Sequence, residues 1–269
     1  MDIKKFFKAV NNDDFVPGIY NYCDRWCERC PVTYKCASYF ITNKLFKEKL
    51  EDDGSSADTA AELERVLKFT QEVLQDAIKD LNINPDEMDI QDYLEGQSDD
   101  FEDDFLDYLD QPENEKSELI QLATDYVKMT DAWIENTDET VTELEKEFER
   151  IREMNIDTGD VINDFRKMMD SFDIIDWYRY LIISKLTVAL HDKKHLHYEK
   201  GELITYNGYA KVALIGVEKS INAWQNMLEV LPDYEEITFK QLIHLKKIKE
   251  KIKETFPDAE KFKRPGFDD

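Results

Sequence analysis

The chain has 269 residues, enough for one large domain or two small ones. Its 60 acidic and 35 basic residues leave a formal charge of −25, a surface that repels phosphate backbones and argues against a nucleic-acid partner. No apolar run reaches the roughly 18 residues of a transmembrane helix, and the N-terminus MDIKKFFKAVNNDD lacks the apolar core of a signal peptide. A cytoplasmic protein with no membrane partner is therefore expected.

Glycine and proline together number 15 of 269 residues, against roughly 12% in average proteins. Turn-forming residues are scarce, so few, long elements are expected. Charged residues make up 35%, and apolar residues recur at three- and four-residue steps. The fold class implied is all-α: a multi-helix bundle of six to eight helices with an N-terminal four-cysteine metal or cluster loop.

In chain order, residues 1–22 read as a short amphipathic lead carrying Phe6, Phe7 and Val10, with a turn at Pro17-Gly18. The cysteine loop follows. A helix over Ala37 to Leu50 closes a first segment, 1–50, which is expected to pack on a helical bundle, 51–269. Thr59-Ala60-Ala61-Glu62 is a capping box, in which Thr and Glu satisfy each other's orphan amides, and it opens a helix to about Leu81. From Ile83 to Lys116 stand fourteen acidic residues and one lysine, interleaved with apolar ones. This acidic insert reads as two short helices with a solvated face, or as a surface for a basic partner.

After Pro112 the longest helix is expected to run to about Asn155, with Leu119, Leu122, Tyr126, Trp133, Thr137, Val141, Leu144, Phe148 and Ile151 as its stripe. The next helix carries Val161, Phe165, Met168, Phe172, Ile175, Ile182, Leu186 and Ala189. Between Ile174 and Leu190 it is apolar nearly all round, which places it at the centre. His191 to Tyr206 reads as a polar connection, and Tyr209 to Leu231 as another apolar helix ending at Pro232. A second capping box, Thr238-Phe239-Lys240-Gln241, is expected to open the last helix. Its lysines at 240, 246, 247, 249, 251 and 253 are expected to lie against the protein's own acidic surface.

All four cysteines of the chain lie between Tyr20 and Phe40: Cys23, Cys27, Cys30 and Cys36, in the spacing C-x3-C-x2-C-x5-C. In a chain without a secretion signal such a cluster points to a metal site, not a disulfide framework. Thiolates suit both zinc and iron–sulfur clusters, and each takes four donors. Structural zinc sites usually join two knuckles separated by a dozen or more residues. A single compact run, with Pro31 bending the chain after Cys30, fits a loop wrapped around a cube-shaped cluster. Structural zinc and redox-active thiols remain as alternatives.

The run Cys27-Glu28-Arg29-Cys30-Pro31-Val32-Thr33-Tyr34-Lys35-Cys36 resembles the C-x2-C-P-V-x3-C segment of WhiB-like iron–sulfur proteins. The resemblance covers about ten residues. It implies that Cys27, Cys30 and Cys36 ligate a [4Fe–4S] cluster, with Cys23 as the fourth ligand. The small size, glycine turn and basic tail of that family are missing, so its transcriptional role is not carried over. Cys23-x3-Cys27-x2-Cys30 also has the spacing of the radical S-adenosylmethionine loop. Arg29, however, stands where an aromatic residue normally precedes the third cysteine.

Two further groups are candidates for chemistry. His191, His195 and His197 form H-x3-H-x-H, in which the first two share a helix face at metal-pair spacing and Asp192 or Glu199 completes the set. The alternative is a charged helix end whose histidines favour the dipole. Lys185 and Lys211 lie within apolar helices near Asp173, Asp176, Tyr178 and Arg179. There they serve either as a base or Schiff-base donor, or pair and snorkel. The function expected is redox sensing or electron transfer with an unidentified redox or protein partner. A zinc-stabilised interaction scaffold and a helical-bundle enzyme are the alternatives.

Overall fold

The computed structural model describes residues 14–42, 71, 117–153, 159–195, 205–231 and 234–268. Every regular element among them is helical, with no strand. The capping box at 59–62, the helix to Leu81 and the acidic insert at 83–116 lie outside the described residues. Contacts divide the chain into two compact units. One comprises Met1–Asp110 together with Arg264–Asp269, the other Gln111–Lys263.

In the first unit the described residues form three 3-10 turns and the short helix α1 (Ala37–Phe40). The second unit holds α2 (Glu118–Glu153), α3 (Gly159–His195), α4 (Thr205–Val230) and α5 (Glu235–Thr255), followed by a 3-10 turn at Ala259–Lys261. Helix α3 packs chiefly on α4, α4 on α5, α5 on α2 and α2 on α3, which closes a ring of four helices.

Each helix turns a seam with alternating three- and four-residue steps into the ring. On α2 the buried positions include Leu119, Ala123, Tyr126, Thr130, Trp133 and Thr137, and on α3 Met168, Ser171, Ile175, Tyr178, Ile182, Lys185 and Ala189. On α4 they include Ala210, Ala213, Val217, Ser220, Trp224 and Met227, and on α5 Thr238, Gln241, Leu245, Ile248 and Ile252. A 3-4 alternation keeps one face of nearly parallel or antiparallel helices in register, as in coiled coils. Apolar stripes alone identify most of each seam. The small and polar members, such as Ala123, Thr130, Ser171 and Ser220, emerge only from the spacing.

Two element boundaries differ from expectation. Helix α5 starts at Glu235, so Thr238 and Gln241 are not a capping box but the first two rungs of its buried seam. Glu235 and Glu236 occupy the first turn instead, where negative charge favours the helix dipole. Helix α3 continues through the expected polar connection to His195. Its last turns are held by Lys193 Nζ, which donates to the Thr255 carbonyl at 2.6 Å, and by Asp192 Oδ2, which accepts from Thr205 Oγ1 at 3.2 Å.

Aromatic rings fill the centre. Trp133 meets Trp224 edge-on at 4.7 Å and Phe172 at 5.4 Å, and buried Trp224 Nε1 donates to Tyr126 Oη at 3.2 Å. This arrangement lets a large indole bury its apolar body while its one donor stays paired. Three of the six α5 lysines meet carboxylates of other elements: Lys249 pairs with Glu218 at 2.8 Å, Lys251 with Glu118 at 2.5 Å, and Lys253 with Glu260 at 2.7 Å, while Lys240 pairs with Glu236 one turn away on α5. Among the described residues no helix is long and apolar enough to cross a membrane.

Candidate metal centre

The cysteine segment is built from tight turns, and each cysteine stands at the end of one. Gly18, at φ 70°, enters the first turn (Ile19–Tyr22), and Cys23 leaves it in an extended conformation. Cys27 begins the second turn (Cys27–Arg29) and Cys30 ends it, with its N–H donating to the Cys27 carbonyl at 3.2 Å. Cys36 ends the third (Thr33–Lys35) and caps α1. Short turns suit this sequence because Pro31 offers no N–H and Asp24 accepts from the Trp26 N–H at 3.3 Å, the local bond that lets Asp compete with regular structure. Between Cys23 and Cys27 the backbone reverses through Arg25 at φ 57°, a left-handed conformation that L-residues rarely adopt.

The ends of the segment are tied together. The Val16 N–H donates to the Lys35 carbonyl at 3.0 Å, and Phe15 packs on Phe40 at 5.5 Å between ring centroids. Ile19 and Tyr22 are buried. These anchors are the small core that the aromatic residues of the loop supply.

Together the turns shape a small open cavity, with about 20 Å³ of space for water-sized centres, and all four cysteines line it. Trp26, Tyr39, Ile19, Val32 and Phe267 make the apolar wall. The Cys27 thiol is held above its ordinary pKa by burial first, then by the negative charge of Cys23, Cys30, Cys36 and Glu28. Its neighbours are thus close enough to repel a thiolate, and such repulsion is relieved when a cation or cluster binds. Among the described residues, however, no three His, Cys, Asp or Glu side chains gather as ligands of one metal ion. No disulfide joins any of the four cysteines.

Polar contacts to sulfur are already in place. The Tyr39 N–H donates to Cys36 Sγ at 3.4 Å, and Cys23 Sγ donates to the Tyr20 carbonyl at 3.4 Å. Nearby, the Arg29 guanidinium lies 3.9 Å above the Trp26 ring, and Lys35 Nζ lies 5.8 Å from the centre of the Tyr34 ring. Both cations are held on aromatic faces of the segment by stacking.

The other candidates stand elsewhere. His191 Nδ1 lies 3.8 Å from Asp192 Oδ1 on α3. His197 and the side chain of His195 lie outside the described residues. Lys185 is buried in the α3 seam with its Nζ 5.3 Å from the centre of the Tyr209 ring, and Lys211 Nζ donates to the Glu260 carbonyl at 2.7 Å. Arg179 pairs with Asp131 at 2.9 Å and also with Asp176. Lys211 and Arg179 thus have structural partners, and so does Tyr178, whose Oη accepts from Lys219 at 2.6 Å.

The residue that sequence reasoning missed is Phe267. Pro265-Gly266 announces a turn, but nothing in the sequence tells where that turn docks.

No family model, curated protein or solved structure matches this chain.

Proposed function

We propose that the chain carries a [4Fe–4S] centre on Cys23, Cys27, Cys30 and Cys36 and uses it in redox sensing or electron transfer in a reducing cytoplasm. The observation that carries this reading is that four thiols, spread over fourteen residues, face one cavity. A zinc ion needs sulfurs about 2.3 Å from a single point and hence ~3.8 Å from one another. A cubane holds its four thiolates farther apart, around a body of iron and sulfide. Four donors in one compact run favour the larger group, and the resemblance of Cys27–Cys36 to the WhiB-like segment points the same way.

When bound, such a cluster supplies one-electron chemistry. The chain's own residues do the rest. Four protein ligands leave no open coordination position, so the expected work is electron exchange without substrate binding at the metal. Trp26, Tyr39 and Phe267 exclude water. The N–H of Tyr39 at Cys36 Sγ stabilises negative charge on sulfur and favours the reduced form.

Purification without oxygen tests the reading. A broad absorption band near ~400 nm with about four irons per chain is expected. Single Cys→Ser changes at positions 23, 27, 30 and 36 are expected to lower iron content. A colourless protein holding one zinc that depends on the same cysteines would overturn the cluster in favour of the zinc-stabilised scaffold.

A further inference from the structure

The cavity wall is not made by the cysteine segment alone. Phe267, more than two hundred residues beyond Cys36 in the sequence, lines the same space. Its placement is strongly built. The Arg264 side chain grips Asp268 through Nε at 3.0 Å and Nη2 at 2.8 Å, and the Arg264 backbone N–H donates to the same carboxylate at 3.0 Å. The Phe267 and Asp268 N–H groups both return to the Arg264 carbonyl at 3.1 Å, and the guanidinium lies 4.8 Å from the centre of the Phe267 ring. Between them Gly266, at φ 77°, is buried so tightly that a Cβ would stand 2.7 Å from Ile19 Cδ1 and 3.3 Å from Val16 Cγ2. Ile19 itself lines the cavity. A glycine in the left-handed region, pressed on a cavity-wall residue, fixes where the neighbouring ring goes.

We propose that the turn Arg264–Asp268 is a strap that closes one wall of the cysteine cavity, with Phe267 as the positioning residue that limits access of water and small oxidants to the sulfurs. The strap rests on the reading of the cavity as a metal centre, but its effect on thiol access holds with or without metal. Arg264 and Asp268 hold the strap closed, and Gly266 lets it approach.

The test compares wild type with Phe267→Ala, Phe267→Leu and Asp268→Asn. Two rates are read: loss of absorption near ~400 nm after exposure of the loaded protein to air, and modification of the metal-free cysteines by a chromogenic disulfide reagent. Phe267→Ala is expected to raise both rates severalfold. Asp268→Asn is expected to raise them less, and Phe267→Leu to restore most of the protection. If wild type and all three variants react alike, the strap is overturned. A wild-type protein that takes up no iron overturns the cluster reading alone, since the thiol rates still decide the strap. Where Phe267→Ala fails to fold, Asp268→Asn against wild type decides the outcome: equal rates overturn the proposal, and faster ones support it.

Discussion

Gly216 on α4 lies directly against Tyr178 on α3: a methyl group there would be 2.9 Å from Tyr178 Cδ1 and 3.1 Å from Ile182 Cγ1. The most extensive helix pair of the ring depends on this missing side chain. Alanine recovers about 1 kcal/mol of helix propensity over glycine, whereas overpacking a tight core costs about 1–3 kcal/mol. Gly216→Ala is therefore expected to be mildly destabilising and Gly216→Val to cost about 2–3 kcal/mol, because the branched side chain must displace a buried ring. Equilibrium denaturation checks both, and a stabilising Gly216→Val would refute the packing argument.

Gln241 presents the opposite case. Its side chain is fully buried, and neither its amide oxygen nor its nitrogen has a hydrogen-bond partner among the described residues. An orphan buried polar group costs about 1–3 kcal/mol, and removing it together with its need for a partner relieves that cost. Gln241→Met, of similar length, is expected to raise stability by about 1 kcal/mol or more. A loss of stability in the same denaturation experiment would mean that the amide is satisfied in solution by buried water.

Arg25 holds a left-handed backbone that costs an L-residue about 1–2 kcal/mol. Arg25→Gly is expected to leave the cysteine segment as protected as in wild type, or more so. Arg25→Val is expected to speed amide exchange across residues 14–42 by about tenfold, since a β-branched residue tolerates positive φ worst. Equal exchange in the two variants would show that the turn does not need this conformation.

Asp192 carries a pH signature. Its side chain is 15% exposed, and burial raises its pKa, against the lowering effect of Thr205 and His191. A carboxyl with a raised folded-state pKa binds more protons in the native state, so its contribution is fully present below the unfolded value of about 4. That contribution is lost as pH rises through the folded value. The stability of Asp192→Asn relative to wild type is accordingly expected to increase from about pH 4 upward and then level off. Denaturant midpoints across that range check the slope, and a flat difference would remove Asp192 from the pH response.

The long helices of the second unit were legible because large apolar residues mark their seams: Leu119, Tyr126 and Trp133 on α2, Ile175 and Ile182 on α3. Less legible were positions where a seam is filled by small or polar side chains. Thr238 and Gln241 match a capping box as well as they match two rungs of a heptad. Only the packing of α5 on α2 and α4 decides between them. At the candidate site the four cysteines were plain, as was the turn-rich character of their loop. Neither the cavity that the four cysteines share nor the arrival of Phe267 was readable, because each depends on contacts that sequence spacing does not encode.

The distance along the chain between Cys36 and Phe267 also orders events during synthesis. At ~5–20 residues per second, the strap leaves the ribosome roughly 10–45 s after the last cysteine. During that interval the cavity lacks the wall that Phe267 supplies. The wall arrives last, after α2 to α5, so the proposed centre can be loaded before it is enclosed.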